Sequence, residues 1–97
     1  MNDRTIMYAI FVGESINAST IDEKKLRRIL ELYKKARQYI KVDLFYIVLN
    51  GERFVGIVKN DVAVTVNARD DPIGIALLEA EKILFNFINN PKREVIE

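Results

Sequence analysis

Three apolar segments joined by very short turns constrain the fold of this chain more than any other feature. The segments are residues 43–50, 53–59 and 62–68, and all three are rich in the β-branched and aromatic residues that favour strands. Asn50-Gly51 supplies two residues that tolerate the positive φ angles of a type I′ hairpin, and Asn60-Asp61 marks the next turn. The sequence therefore predicts a three-stranded antiparallel meander.

The first strand of this meander is continuously apolar. Its residues 44–49 read Leu-Phe-Tyr-Ile-Val-Leu, a pattern typical of a strand with both faces covered. As the first strand of a meander it is nevertheless a candidate for the edge of the sheet, where an uncovered apolar strand pairs readily with another chain. We therefore expect this strand to mediate self-association, which would also add stability to a domain of only 97 residues.

A hairpin and a helix are predicted before the meander. Residues 6–12 and 15–20 have the character of two strands, with a tight turn at Gly13-Glu14. Apolar residues recur at spacings of three and four over residues 21–40, which predicts a helix with one stripe facing the sheet. Thr20 and Glu23 match a capping box at the start of this helix.

The other face of this helix is basic. Eight Lys and Arg residues and three Asp and Glu residues lie between Asp22 and Lys41, so the segment carries a net charge of +5 and the rest of the chain −4. Such a face is either a solvated surface or a docking surface for an acidic partner protein or, with less support, for phosphate groups. Only Tyr33 and Tyr39 are aromatic here, and Tyr33 belongs to the apolar stripe. The segment therefore offers few of the aromatic side chains on which a nucleic-acid-binding protein stacks bases.

A second helix is predicted from Asp71-Pro72 to about Asn89, because a carboxylate suits the N-cap and Pro suits the first helical position. This helix is apolar nearly all round and has more apolar surface than one small sheet can cover, which indicates a partner. Gly74 lies in its first turn, where Gly is a poor helix former, and predicts a close approach of the backbone to another element or to a ligand. We assign residues 1–90 to one domain and residues 91–97 to a flexible C-terminal tail.

The composition excludes several kinds of chemistry. The chain has no Cys, His or Trp, which removes thiolate nucleophiles, imidazole bases and the common zinc ligands. Asp70-Asp71 is a paired carboxylate, but Asp71 already has a predicted capping role, and Gly13-Glu14-Ser15 lacks the glycines and Lys of a nucleotide-binding loop. We therefore predict a protein that is not an enzyme, with no catalytic residues, no cofactor and no metal site.

Charge and hydropathy also bear on the setting in which the protein works. A net charge of +1 gives no general electrostatic argument for binding nucleic acid or membranes. No segment approaches the roughly 20 apolar residues of a membrane span, and residues 6–12 lack the flanks of a signal peptide, so we expect a cytoplasmic protein. The absence of Cys, the many Ile and Val residues and the charged helix surface also suit a thermophilic source.

The predicted order is β-β-α-β-β-β-α, an α+β fold with a single antiparallel five-stranded sheet and two helices, stacked as a two-layer or three-layer sandwich. Within this order, residues 54–58, 61–66 and 70–80 resemble the end of Roadblock domains. Those domains close with a valine-rich strand, a short acidic or small-residue loop and a helix that opens on an apolar-Gly-apolar motif, here Ile73-Gly74-Ile75. Residues 8–14 and 21–40 resemble the Roadblock hairpin and the helix that follows it. Only five residues precede the first strand, where most Roadblock domains have another helix, and in this respect the chain is more similar to the related longin arrangement.

The resemblance implies a homodimer or a heterodimer with a related domain. Roadblock domains pair through the third strand and the helix after the hairpin, which implies an interface at Leu44, Phe45, Tyr46, Ile47, Val48, Leu49, Leu30 and Tyr33. Family members regulate or carry small Ras-like GTPases, or act as subunits of larger assemblies such as motor complexes. By this analogy a partner would meet the outward side of the first helix, at Lys24, Arg27, Arg28 and Lys35.

The expected function is therefore that of a dimeric, non-catalytic regulator or scaffold that binds a small GTPase. Two alternatives from other classes stay open. One is a small nucleic-acid- or phosphate-binding module that uses the basic helix, residues 22–41. The other is a purely structural, self-assembling subunit, which shares the dimer but has no GTPase partner.

Overall fold

The short turns bring neighbouring strands together into one five-stranded antiparallel sheet, which packs with two helices. The structure is a computed structural model and describes residues 6–89. The elements are β1 Tyr8–Val12, β2 Ser15–Ser19, α1 Glu23–Arg37, β3 Leu44–Leu49, β4 Glu52–Lys59, β5 Val62–Asn67 and α2 Ile73–Asn89. The predicted α+β class and the predicted order of elements are confirmed. The two ends of the predicted domain and the predicted tail at residues 91–97 lie outside the described residues.

The strands follow the spatial order β2-β1-β5-β4-β3, so β2 and β3 form the two edges of the sheet. Both predicted turns of the meander are confirmed, because Asn50 and Gly51 have φ angles of 50° and 82°, and Asn60 and Asp61 have φ angles of 52° and 71°. β1 pairs with β5 along its whole length. The N-terminal hairpin therefore lies beside the last strand, and the meander runs outward to β3.

The two helices cover opposite faces of the sheet. Successive strand residues point to alternate faces, so the same strands contribute side chains to both cores. The α1 side of the sheet forms one core with the helix residues Leu26, Ile29 and Tyr33 and the strand residues Ala9, Phe11, Phe54 and Ala63. The α2 side forms a second core with Ala76, Ala80 and Leu84 and the strand residues Ile10, Val55, Val64 and Val66. Of the two predicted arrangements, the three-layer sandwich is the observed one.

The start of α1 differs from the prediction. Asp22 is the N-cap, and its carboxylate accepts a hydrogen bond from the Lys25 amide at 3.4 Å. The Thr20 hydroxyl instead accepts a hydrogen bond from the Tyr8 amide at 3.0 Å, because Thr20 still runs beside β1. The predicted capping box between Thr20 and Glu23 is therefore wrong, and the helix begins at Glu23 and ends at Arg37.

The prediction that another element packs closely on Gly74 is also wrong. A Cβ atom placed at Gly74 would have no neighbour within 4 Å, so no element in residues 6–89 approaches the backbone there. The close approach occurs at Gly56 in β4, where the ring of Phe45 fills the space that a Cβ atom would need. The small residue is required inside the sheet rather than at the start of α2.

The C-terminal end of α1 is fastened to two turns of the sheet by Arg37. Its guanidinium donates hydrogen bonds to the Gly13 carbonyl at 3.0 Å and to the Asp61 carboxylate at 2.7 Å. The same group lies 5.3 Å from the centre of the Tyr33 ring, within the range of a cation–π contact. Arg37 thus joins the β1–β2 turn, the β4–β5 turn and the first helix.

Candidate interaction surface

The edge strand β3 carries an uncovered apolar row. Leu44, Tyr46 and Val48 are each more than half exposed, whereas Phe45, Ile47 and Leu49 are partly buried against the α1-side core. The alternation follows from the geometry of a strand, whose successive side chains point to opposite faces. We call Leu44, Tyr46 and Val48 the β3 row.

The β3 row is exposed because of where α2 lies. This helix packs on β4 and β5, the second and third strands from that edge, and does not cover β3. β3 pairs with β4 on one side, and within residues 6–89 no strand pairs with its other side. An edge of this kind combines unpaired backbone groups with apolar side chains, which is the condition that favours pairing with another chain.

The two helix residues assigned to the interface lie differently from the strand residues. Tyr33 is only 2% exposed and lies between Phe11 and Phe45, with ring-centre distances of 5.9 Å and 5.6 Å. Leu30 is partly buried against the same core. The structure therefore gathers the six strand residues at one edge and places Tyr33 inside the core of the single chain.

The Tyr33 hydroxyl is buried and has no hydrogen-bond partner among the described residues. Burial raises the pKa of this phenol above its ordinary value of 10.0, because the charged form would lose its hydration. Arg37 opposes this rise in the pKa, and the carboxylates of Asp61 and Glu14 add to it. The group stays neutral at physiological pH and contributes packing rather than charge.

The four residues assigned to partner binding fall into two groups. Lys24 and Arg28 line a depression of about 360 Å³ together with Leu49 and Asn50, at the end of β3. Arg27 and Lys35 line a second depression, of about 440 Å³, farther along α1. Only the Lys24 and Arg28 group adjoins the edge strand.

Part of the positive charge of α1 is balanced within the chain. Arg27 pairs with Glu23 at 2.9 Å, Arg28 pairs with Glu31 at 3.0 Å, and Lys25 pairs with Glu52 at 2.6 Å. The Arg27 and Arg28 pairs are on the helix surface, where such contacts contribute about 0.2–1 kcal/mol. Lys24, Lys34 and Lys35 form no ion pair with another residue in the described part of the chain, so they leave α1 with a net positive outer surface.

A second apolar surface lies on α2, for which the sequence predicts a partner of unspecified kind. Ile75, Leu78 and Phe85 are exposed, while Ile88 packs on the α2-side core. The signal in the sequence was the apolar residues that extend beyond the width of one helix face. The topology was needed to show which of them face away from the sheet.

Two other features are absent from residues 6–89. This part of the chain contains no cluster of three or more His, Cys, Asp or Glu side chains that could hold a metal ion. None of its helices combines the length and the apolar character that crossing a bilayer requires. No model of a known protein family matches the sequence, and a search of curated proteins gave no significant match.

Proposed function

We propose that this protein is a Roadblock/longin-like dimer that acts as a non-catalytic regulator or scaffold, with a small Ras-like GTPase as its partner. The observation that carries the proposal is the exposed apolar edge strand β3. The resemblance of the sequence to Roadblock domains supplies the class of partner, and a likeness of fold alone is an association rather than a mechanism. The basic outer surface of α1 supplies a place where an acidic partner surface would bind.

Pairing of two β3 edges would join two sheets into one continuous sheet. The backbone groups on the free side of each strand would gain partners, and the β3 rows of the two copies would become cross-strand neighbours. Apolar area that is exposed in one chain would then leave water, at roughly 25 cal/mol per Å². This gain supports self-pairing as the first step of assembly.

The two alternatives make different demands on the same surfaces. A purely structural subunit would use β3 in the same way but would leave the basic surface of α1 without a partner. A nucleic-acid- or phosphate-binding module would use the three unpaired lysines of α1, and its affinity would fall steeply as salt rises. Tyr33, the tyrosine on α1, is buried, and the exposed Tyr39 lies beyond the end of the helix, so α1 itself offers no exposed ring for base stacking.

The first test is the mass of the protein in solution, measured by light scattering for the wild type and for Tyr46→Lys. Charge on the β3 row should weaken pairing through β3 and lower the mass, because the ammonium would lose its hydration in the paired edge. Ile16→Lys is the matched control, since Ile16 is an exposed apolar residue on the opposite edge strand, β2. An unchanged mass for Tyr46→Lys, at wild-type stability, would remove β3 from the interface.

The second test concerns the GTPase. The purified chain is used to capture GTPases from the source organism, and the captured protein is identified and then titrated with two doubly substituted variants. Lys24→Glu with Arg28→Glu changes the group beside β3, and Arg27→Glu with Lys35→Glu makes the same change in charge elsewhere on α1. Loss of binding with the first variant alone supports docking beside the edge strand. Recovery of nucleic acid instead of a GTPase would favour the alternative module.

A further inference from the structure

The outward surface of α2 has the character of a helix–helix interface. Ala76, Ala80 and Leu84 face the sheet and are buried, yet Leu78 and Phe85 on the other side are each 56% exposed. Ile75 is also exposed. The sheet accounts for one apolar side of α2, and the second apolar side has no cover within the described residues.

The spacing on this side is that of a coiled-coil seam. Ile75, Leu78, Lys82 and Phe85 follow one another at intervals of three, four and three residues, the pattern that keeps a seam facing a second helix. The seam is about 15 Å long at 1.5 Å per residue. A shallow depression of about 510 Å³ lies along it, lined by Leu78, Glu81, Lys82, Phe85 and Asn86.

We propose that a second copy of this chain docks on this seam, with the two α2 helices antiparallel. In that arrangement Ile75 of each copy lies opposite Phe85 of the other, and Leu78 lies opposite Lys82. Each facing pair then occurs twice, once on either side of a twofold axis between the helices. One short seam can therefore pair with an identical copy of itself.

The charges on α2 disfavour the parallel orientation. Glu79, Glu81 and Lys82 form no ion pair with any other described residue, so their charges are available to a second copy. Antiparallel pairing sets Glu79 of one copy opposite Glu81 of the other, and it brings Lys82 of each copy close to both carboxylates, which offsets their repulsion. Parallel pairing would instead set Lys82 against Lys82 in the seam, and like charges in a desolvated seam are disfavoured.

This surface is separate from the β3 edge, and the inference does not rest on the proposed function. If both surfaces are used, each chain has two isologous contacts. Two such contacts close into a tetramer when their twofold axes cross at right angles, and otherwise they extend into an open chain. The mass in solution should therefore exceed that of a dimer at high protein concentration.

The decisive experiment is a charge reversal in the Tyr46→Lys background, where β3 pairing is weakened. The parent should remain dimeric through α2, Lys82→Glu should halve its mass, and Lys82→Glu combined with Glu79→Lys and Glu81→Lys should restore the dimer. Lys59→Glu makes the same change in charge outside α2 and should leave the mass unchanged. A mass that does not respond to Lys82→Glu, or is not restored by the combined reversal, overturns the proposal.

Orientation is tested with single cysteines in the full chain, which has none of its own. A Leu78→Cys chain mixed with a Lys82→Cys chain should be cross-linked to each other by a short bis-maleimide, because the two positions face one another in the antiparallel seam. Predominant self-cross-linking of the Lys82→Cys chain would show parallel pairing and would contradict the proposed arrangement. Circular dichroism of each variant checks that the exposed substitutions leave the fold intact.

Discussion

The aromatic ring of Phe45 lies directly over Gly56, its cross-strand neighbour, in the space where any other residue would place its Cβ atom. The same ring lies 5.6 Å from Tyr33, so β3, β4 and α1 meet at this point. Because Phe45 points toward α1, its neighbours Leu44 and Tyr46 must point to the opposite face. The packing of one ring thus fixes which residues of the edge strand are exposed.

Substitution Gly56→Ala should destabilise the protein by about 1–3 kcal/mol, since the added methyl group overlaps the Phe45 ring and the sheet cannot widen locally. The free energy of unfolding is measured by denaturant titration. Phe45→Leu should relieve the overlap, so the double variant should be more stable than the sum of the two single changes predicts. Simple additivity would show that the two residues do not compete for space.

The opposite result is expected for Gly74→Ala. Gly74 lies in the first turn of α2, has open space around its Cα and does not have a positive φ. Alanine restricts the unfolded chain and favours the helix, so stability should increase by about 0.5–1 kcal/mol. Paired with Gly56→Ala, this variant separates the propensity of glycine from its steric role. A loss of stability at position 74 would indicate a contact that the single chain does not have.

Tyr33→Phe should alter the dependence of stability on pH. The pKa of Tyr33 is raised in the folded protein, so its contribution is complete below the unfolded value and is lost as pH rises through the folded value. The wild type should therefore lose more stability than Tyr33→Phe as the pH rises above about 10. Near neutral pH the two should agree within about 1 kcal/mol, since the hydroxyl has no partner among the described residues. Tyr39→Phe, at a largely exposed residue, should keep the wild-type profile.

Arg37→Ala should destabilise the fold by about 1–2 kcal/mol, because it removes two charge-assisted hydrogen bonds and the contact with the Tyr33 ring. The control is Arg27→Ala, which removes only an exposed ion pair on the same helix and should change stability by less than about 1 kcal/mol. Both values come from denaturant titration. Equal effects of the two substitutions would show that Arg37 does not fasten α1 to the turns.

Local signals in the sequence were enough to predict most of the fold. The meander could be predicted because its turns are specified by adjacent residues such as Asn50 and Gly51, and α2 because Pro72 marks its start. The cap of α1 could not be predicted this way, since the Thr20 hydroxyl is engaged by the backbone of β1, a contact that depends on the hairpin register.

The candidate site was harder to predict than the fold. Six consecutive apolar residues in β3 conceal which three are exposed, and the answer depends on the position of α2. A glycine in a helix and a glycine in a strand look alike in the sequence. Only the cross-strand partner, Phe45, shows that Gly56 is the one under steric constraint.

The position of β1 beside β5 has a consequence for the order of folding. β4 and β5 can pair with their neighbours in sequence as soon as they are made, but β1 must pair with β5. The paired residues are at least 50 positions apart in sequence, as with Tyr8 opposite Val66. Contacts so distant in sequence form slowly, because a long loop must close first. During synthesis the N-terminal hairpin must therefore wait for the meander to be complete, and we expect the joining of these two locally formed units to limit the folding rate.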